Sequence, residues 1–389
     1  MTSRNVAVLA IAVAAALLAG CGTIFDKIGK KYTAFSVRRD VAAFDPASQG
    51  WAVLPGMPAD DLAQTGVVAA SGRIYILASG SDAAFRFDAN AASGVGAWEV
   101  LPPLPEPRVD AAAVAASPTA VCVASGVGPS GPLPFVEVLD DTAPAPAWGR
   151  IATPFRRFQA AVVAAGGRLY VIGGFDENNV AHTDVWELAN VTSSALATDW
   201  KKKGDLSQPR CFAGAFVLGT QVHIVSGHAG DGAPLATEDV YDLATGAVPT
   251  ASSPTAIPTA RLSPQCVVIG DRALVYDART PILPLTGALD SWTAADGWTS
   301  RKRNPSPLNN PSVAVTGGEL LVAGGADSIS RSQVQIYDPI ADTWTPLNGM
   351  PFTRTGGYLA SSGGRTFYVG GFEAHEERVT FKPADFLGL

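Results

Sequence analysis

The sequence predicts an all-β chain of four-stranded sheets set in a ring, and three observations predict it. A glycine-hinged hairpin recurs seven times, tryptophans recur at a steady spacing, and glycine and proline are abundant (40 and 29 residues) while only 16% of residues are charged. The clearest unit is Arg157–Gly174. Phe158–Ala165 is apolar and small, Gly166-Gly167 supplies the positive φ angles of a tight turn, and Leu169–Ile172 is a strand-forming run closed by Gly173-Gly174. Val185-Trp186 and Trp200 then mark two further short strands. Four strands in about fifty residues form one blade of a β-propeller.

Hairpins of this kind occupy Gly72–Ser79, Thr119–Gly126, Gly166–Gly174, Gly219–Gly227, Gly270–Asp277, Gly317–Gly325 and Gly363–Gly371. Trp51, Trp98, Trp148, Trp200, Trp298 and Trp344 mark fourth strands; their spacing is 46 to 52 residues apart from one doubled gap of 98, where a repeat has lost its Trp near Val248. Both rulers count seven blades; six blades with an irregular insert is the minority count, because the fifth unit carries Tyr276-Asp277 where others carry glycine. Third strands carry Phe87-Asp88, Tyr241-Asp242 and Tyr337-Asp338-Pro339, with Trp292 in the fifth unit. The chain opens on a fourth strand, Gly50–Leu54, so an amino-terminal strand completes the last blade and closes the ring, which removes sheet edges. Val41–Pro46 and Val379–Phe381 compete for the third strand of that blade.

The diglycine Gly173-Gly174 followed by Trp186 and Trp200 resembles the kelch motif, a diglycine followed by Tyr (here Trp) and Trp. The resemblance covers residues 41–389 and implies a seven-bladed kelch-type β-propeller. It implies fold rather than activity, since propellers host unrelated functions.

Residues 1–20 read as a signal peptide. Arg4 precedes an apolar run from Val6 to Leu18, shorter than the roughly twenty residues that span a bilayer. Leu18-Ala19-Gly20-Cys21 resembles the bacterial lipobox, which implies that Cys21 is diacylglycerylated and N-acylated as the first mature residue; an ordinary secretory peptide with a chance cysteine is the alternative. Gly22, rather than Asp, follows the cysteine, which favours an outer membrane in a Gram-negative envelope. Residues 21–40 form a tether with Lys27, Lys30, Lys31, Arg38 and Arg39, suited to anionic headgroups or simply to solvent.

Nine residues before the first-turn glycines stand Arg157, Arg210, Arg261 and Arg354, and blade 2 offers Arg108. Blade 1 has Asp60 and Asp61 there, and blade 6 has Asn309 and Asn310. These positions lead into the innermost strands, so they ring one mouth of the channel. Guanidinium groups there suit carboxylates, phosphates or acidic sugars. The competing reading is structural: a Pro-Arg at this point belongs to the kelch consensus, and such arginines bond backbone carbonyls.

Other chemistry is sparse. His182, His228 and His375 follow second strands, and His223 lies within one. They show neither the paired Tyr and His ligands of a copper-radical oxidase nor a zinc motif, so no metal and no cofactor are expected. Gly126–Gly131 matches a dinucleotide fingerprint literally, but Pro132-Leu133-Pro134 follows where a helix must begin, which makes it a blade loop. Cys122, Cys211 and Cys266 fall on apolar strands and read as buried small side chains; a Cys211–Cys266 bridge is disfavoured by their register. A net charge of −7 argues against a nucleic-acid partner.

Two functions follow as expectations. The first is a membrane-anchored binding module for an envelope protein or glycan, presenting the Arg-lined mouth and the loops between Asp176 and Asp184, Ala229 and Glu238, and Pro281 and Asp290. The second is a sugar mutarotase or epimerase similar to the kelch-type N-acetylneuraminate epimerase. That chemistry needs a proton-transfer group beside the arginines, with Asp60, Asp61 and Glu238 nearest in sequence.

Overall fold

A computed structural model of the chain describes residues 31–378, apart from 60–63, 92–95, 143–144, 193–194, 247–254, 278–285 and 328. Among the described residues are seven four-stranded antiparallel sheets and two short two-stranded ribbons. Blade 3 shows the pattern: Ala161–Ala165, Arg168–Ile172, Asp184–Leu188 and Trp200–Asp205 pair in sequence order from the channel outward. The seven innermost strands, Gln64–Ala70, Ala112–Ser117, Ala161–Ala165, Gly214–Leu218, Gln265–Ile269, Ser312–Thr316 and Tyr358–Ser362, each lie against the next, and the last lies against the first. The ring is closed, and the fold is a seven-bladed β-propeller.

Seven apolar clusters fill the seven gaps between blades. Between blades 3 and 4, for example, Tyr170, Ile172 and Val185 meet Val222, Ile224 and Tyr241. The two faces of each second strand feed different gaps: in Gln221–Val225, Val222 and Ile224 face blade 3, whereas Val225 faces blade 5. Such alternation follows from the period-two geometry of a strand buried on both sides. The fourth-strand tryptophans also tie blades together. The indoles of Trp98, Trp148 and Trp344 donate to the carbonyls of Pro55, Pro102 and Lys302 in the preceding blade, at 2.7, 2.8 and 2.8 Å.

Amino-terminal strands complete the last blade, as expected, and the contested third slot is decided with them. Both Val41–Asp45 and Gly50–Leu54 join blade 7, as its third and fourth strands beside Arg365–Val369. Val41–Phe44 takes the contested slot because all four residues are buried, with Phe44 packed on Trp51. Val379–Phe381 lies outside the described residues, as do Cys21, Asp60, Asp61 and Val248. In blade 4 the fourth strand is Thr255–Arg261, without a tryptophan. Within the stretch read as a tether, Lys31–Val37 is a strand paired with Phe372–Arg378. In the loop matching the dinucleotide fingerprint, Val127–Gly128 pairs with Gly131–Pro132 as a small hairpin.

Candidate functional site

The lead-ins to the innermost strands build the channel mouth, and among the described residues their backbone repeats in blades 2, 3, 4, 6 and 7. The residue after the arginine position bridges the residue after the second-strand glycines: Val109 with Val127, Phe158 with Phe175, Cys211 with His228, Asn309 with Ala326, and Thr355 with Phe372. One residue further, the chain turns left-handed at Asp110, Gln159, Phe212, Asn310 and Gly356, with φ between 51° and 64°. Those turns carry the rim of the mouth.

The five arginines sit at this level but turn into their own blades. Arg108 donates to Glu137 at 2.5 Å and to the Ser125 carbonyl at 3.1 Å. Arg157 pairs with Asp184 at 2.9 Å, and Arg261 with Asp290 at 2.8 Å. Arg210 donates to Asp239 through both Nε and Nη2, at 2.9 and 2.7 Å, and to the carbonyls of Ser226 and Thr237. Arg354 pairs with Asp40. All five arginines are buried. Each partner comes from the third strand of the same blade or the residue leading into it, so the pair clamps the inner strand to the third. Burial holds the Arg108 and Arg210 guanidinium groups below their ordinary pKa and pushes the Glu137 carboxyl up; pairing offsets that cost. A regular signal anticipates the partners, since the carboxylate follows its arginine by 27 to 29 residues in blades 2 to 5.

The rim residues carry side chains of unlike chemistry. Asp110 is exposed and hydrogen-bonded by Gln159 of the next blade. Partial desolvation pushes its carboxyl up, against the lowering effect of the Gln159 bond. The Phe212 N–H donates to the Gln159 carbonyl, and the Gly356 N–H to the Asn310 carbonyl, both at 3.1 Å, so the rim is stitched across blades. Except at Asn310, sequence reasoning stopped two residues short of this ring. The arginine register locates it, once the left-handed turn is known.

Aromatic rings gather where blades 3 and 4 meet. Phe158 stacks on Phe175 with centroids 5.4 Å apart, Phe175 tilts against His228 at 5.7 Å, and Phe212 stacks on His228 at 5.5 Å. The three phenylalanines are half-buried. His228 is locked by the N–H groups of Gly230 and Gly232, which both donate to its Nδ1. Its pKa is pushed down by burial, and the Cys211 thiol beside it is pushed up to about 12. Both groups stay neutral, so they do not form a thiolate–imidazolium pair. Cys122, Cys211 and Cys266 are free thiols, unbridged.

The remaining sequence candidates are dispersed. Glu238 is buried between blades 4 and 5, bonded to His223 and to the Trp298 indole. His182 pairs with Asp176 at 3.1 Å in the loop of blade 3. His375 lies on the strand opposite Ala34 rather than in a loop. In blade 6, Asn310 reaches the rim while Asn309 forms the bridge to Ala326.

Residues 156–188 and 307–351 match the family model described as Kelch motif. Both segments lie in contiguous blades with an intact diglycine, Gly173-Gly174 and Gly324-Gly325. Blade 7 keeps Gly370-Gly371 but is divided between the two ends of the chain. The chain is similar to the Kelch repeat and BTB domain-containing protein 1 of Cowpox virus (strain Brighton Red), 31% identical over 105 residues, 26% of this chain and 18% of that protein. It is also similar to Kelch-like protein 25 of Xenopus tropicalis, 22% identical over 234 residues, 57% of this chain and 38% of that protein. It therefore spans less than two fifths of the length of either relative. Among solved structures, that of YjhT aligns at 12% identity with a TM-score of 0.47, covering 83% of this chain and 99% of the other.

Proposed function

We propose that the chain is a lipid-anchored, extracytoplasmic binding module that takes a protein or glycan at the channel mouth and the loops around it. The observation that supports this reading is the rim: one repeated backbone turn presents Asp110, Gln159, Phe212 and Asn310, and no side chain at Gly356. Unlike side chains on a rigid, repeated frame suit recognition, in the way that loops on a stiff scaffold do. In this reading Arg108, Arg157, Arg210, Arg261 and Arg354 hold the rim in place, since their charge is already met within each blade. The lipobox-like Leu18–Cys21 supports attachment to an envelope membrane, and Gly22 favours the outer one, on either its periplasmic or its outer side. Each buried CH₂ adds about 0.8 kcal/mol, so several acyl chains hold where one does not.

The test is capture from detergent-solubilised envelope and from a glycan panel. Phe212→Gly suits it because glycine adopts the left-handed turn without strain, so the ring is removed and the backbone is eased. Loss of capture by Phe212→Gly combined with Asp110→Ala, and its retention by Ile340→Ser on the opposite face, is the expected result. Equal capture by both variants overturns the reading.

Asp110 favours one second reading, a sugar mutarotase or epimerase. A carboxyl pushed up at a polar mouth suits general acid catalysis. Anomer exchange of sialic and neutral sugars, followed by NMR and abolished by Asp110→Asn, is what that reading requires. Identical exchange with and without the protein removes it.

A further inference from the structure

One arc of the rim has a composition of its own. It runs from Asp110 in blade 2 through Gln159 in blade 3 to Phe212 in blade 4, each at the left-handed turn before an innermost strand. The arc is continuous. The Gln159 amide donates to the Asp110 carboxylate, and the Phe212 N–H donates to the Gln159 carbonyl at 3.1 Å. Gln159 also follows Phe158, which opens a row of Phe158, Phe175, His228 and Phe212, with neighbouring centroids 5.4 to 5.7 Å apart. Phe212 ends that row, so within it the ring is stacked on one face only. Its support is fixed, because His228 is buried and its Nδ1 accepts from the N–H groups of Gly230 and Gly232. Phe212 is half-buried and Asp110 exposed, so solvent reaches an aromatic ring and a carboxylate on the same arc.

We propose that this arc binds an uncharged pyranose of a glycan, stacked on Phe212 and hydrogen-bonded through its hydroxyls to Asp110 and Gln159. The proposal rests on the reading of the mouth as a recognition surface and selects the glycan over the protein. Charge excludes the acidic sugars and phosphates. Arg108, Arg157 and Arg210 stand two residues before the rim positions of this arc, and they already meet Glu137, Asp184 and Asp239. Arg156 donates to the Pro132 carbonyl in the hairpin of blade 2. Asp110 would repel an anion outright. A purely apolar partner fits no better, because it would cover the rings and leave the Asp110 carboxylate desolvated without a donor. A pyranose meets both demands. One face offers C–H groups to an aromatic ring, and the hydroxyls at its edge donate to a carboxylate and bond an amide. The carboxylate has capacity for this, since it offers about four acceptor sites and Gln159 takes one.

The full-length protein, held in a detergent without a sugar headgroup, tests this by calorimetric titration. The neutral probes are lactose, maltose and diacetylchitobiose, and the acidic ones are sialyllactose and digalacturonate. At least one neutral probe is expected to bind, about tenfold or more tighter than either acidic one. Phe212→Gly and Asp110→Ala are each expected to weaken that binding about tenfold, with melting still cooperative. Phe212→Tyr keeps the ring and is expected to keep the affinity, and Ile340→Ser is expected to change nothing. Preference for the acidic probes overturns the proposal, as does neutral binding that ignores Phe212→Gly and Asp110→Ala. Failure of every neutral probe overturns it too. Capture of an envelope protein that is lost in the combined Phe212→Gly and Asp110→Ala variant would then leave the mouth as a protein-binding surface. Capture indifferent to that variant removes the mouth as well.

Discussion

The N–H of Gly174 in blade 3 donates to the carbonyl of Arg210 in blade 4 at 2.8 Å. Four other blades repeat this contact, from Gly80 to Arg108, Gly126 to Arg157, Gly227 to Arg261 and Gly325 to Arg354, at 2.8 to 3.0 Å. Each of these arginines thus works in two directions. Its backbone accepts from the preceding blade, and its guanidinium clamps its own third strand.

Removing one clamp is expected to cost more than removing a surface ion pair. Arg210→Ala leaves Asp239 buried without its cation, and breaking a buried pair costs about 3–5 kcal/mol. Lys202→Ala, in a pair with Asp205 whose side chains are 45% and 50% exposed, is expected to cost about 1 kcal/mol or less. Urea unfolding of the two variants checks the difference, and equal costs would remove the clamp from the account.

The diglycine needs no side chain for a steric reason that one pair of substitutions isolates. A Cβ on Gly173 would lie 2.3 Å from the Arg210 carbonyl oxygen, whereas one on Gly166 meets nothing within 4 Å. Both have positive φ, so Gly166→Ala is expected to cost about 1–2 kcal/mol. Gly173→Ala is expected to cost about 1–3 kcal/mol more, because two backbones must part. Thermal melts report it.

Thiol counting tests both burial and lipidation. At pH 8 the folded protein is expected to react negligibly with a disulfide reagent, since Cys122, Cys211 and Cys266 are all pushed up to about 12. In guanidinium, three thiols are expected from protein lipidated at Cys21. Four, the full cysteine count, would show that Cys21 is unmodified.

Asp110 sets a pH dependence of definite sign. Its folded pKa lies above the ordinary 3.8, so the folded state holds the proton more tightly than the unfolded chain. Stability from this group is present in acid and lost as pH rises through the raised value. Asp110→Asn is therefore expected to raise the melting temperature at pH 7, with the gain fading as pH falls through and below 3.8, measured across a pH series.

Local chemistry wrote most of the fold into the sequence. Gly166-Gly167 must turn, Leu169–Ile172 must extend, and tryptophans about fifty residues apart count the blades, because each signal acts within one repeat. Even the arginine register was legible. What side chains do at that register was not, since the direction of the Arg210 guanidinium depends on Asp239, 29 residues away on another strand. Tertiary structure also gave the slot beside Arg365–Val369 to Val41–Asp45, where Phe44 could be buried on Trp51. The same closure brought Phe158, Phe175, Phe212 and His228 of two blades together at the mouth. Those outcomes depend on which distant surfaces meet when the ring shuts, and a residue's neighbours along the chain do not specify its neighbours across a gap.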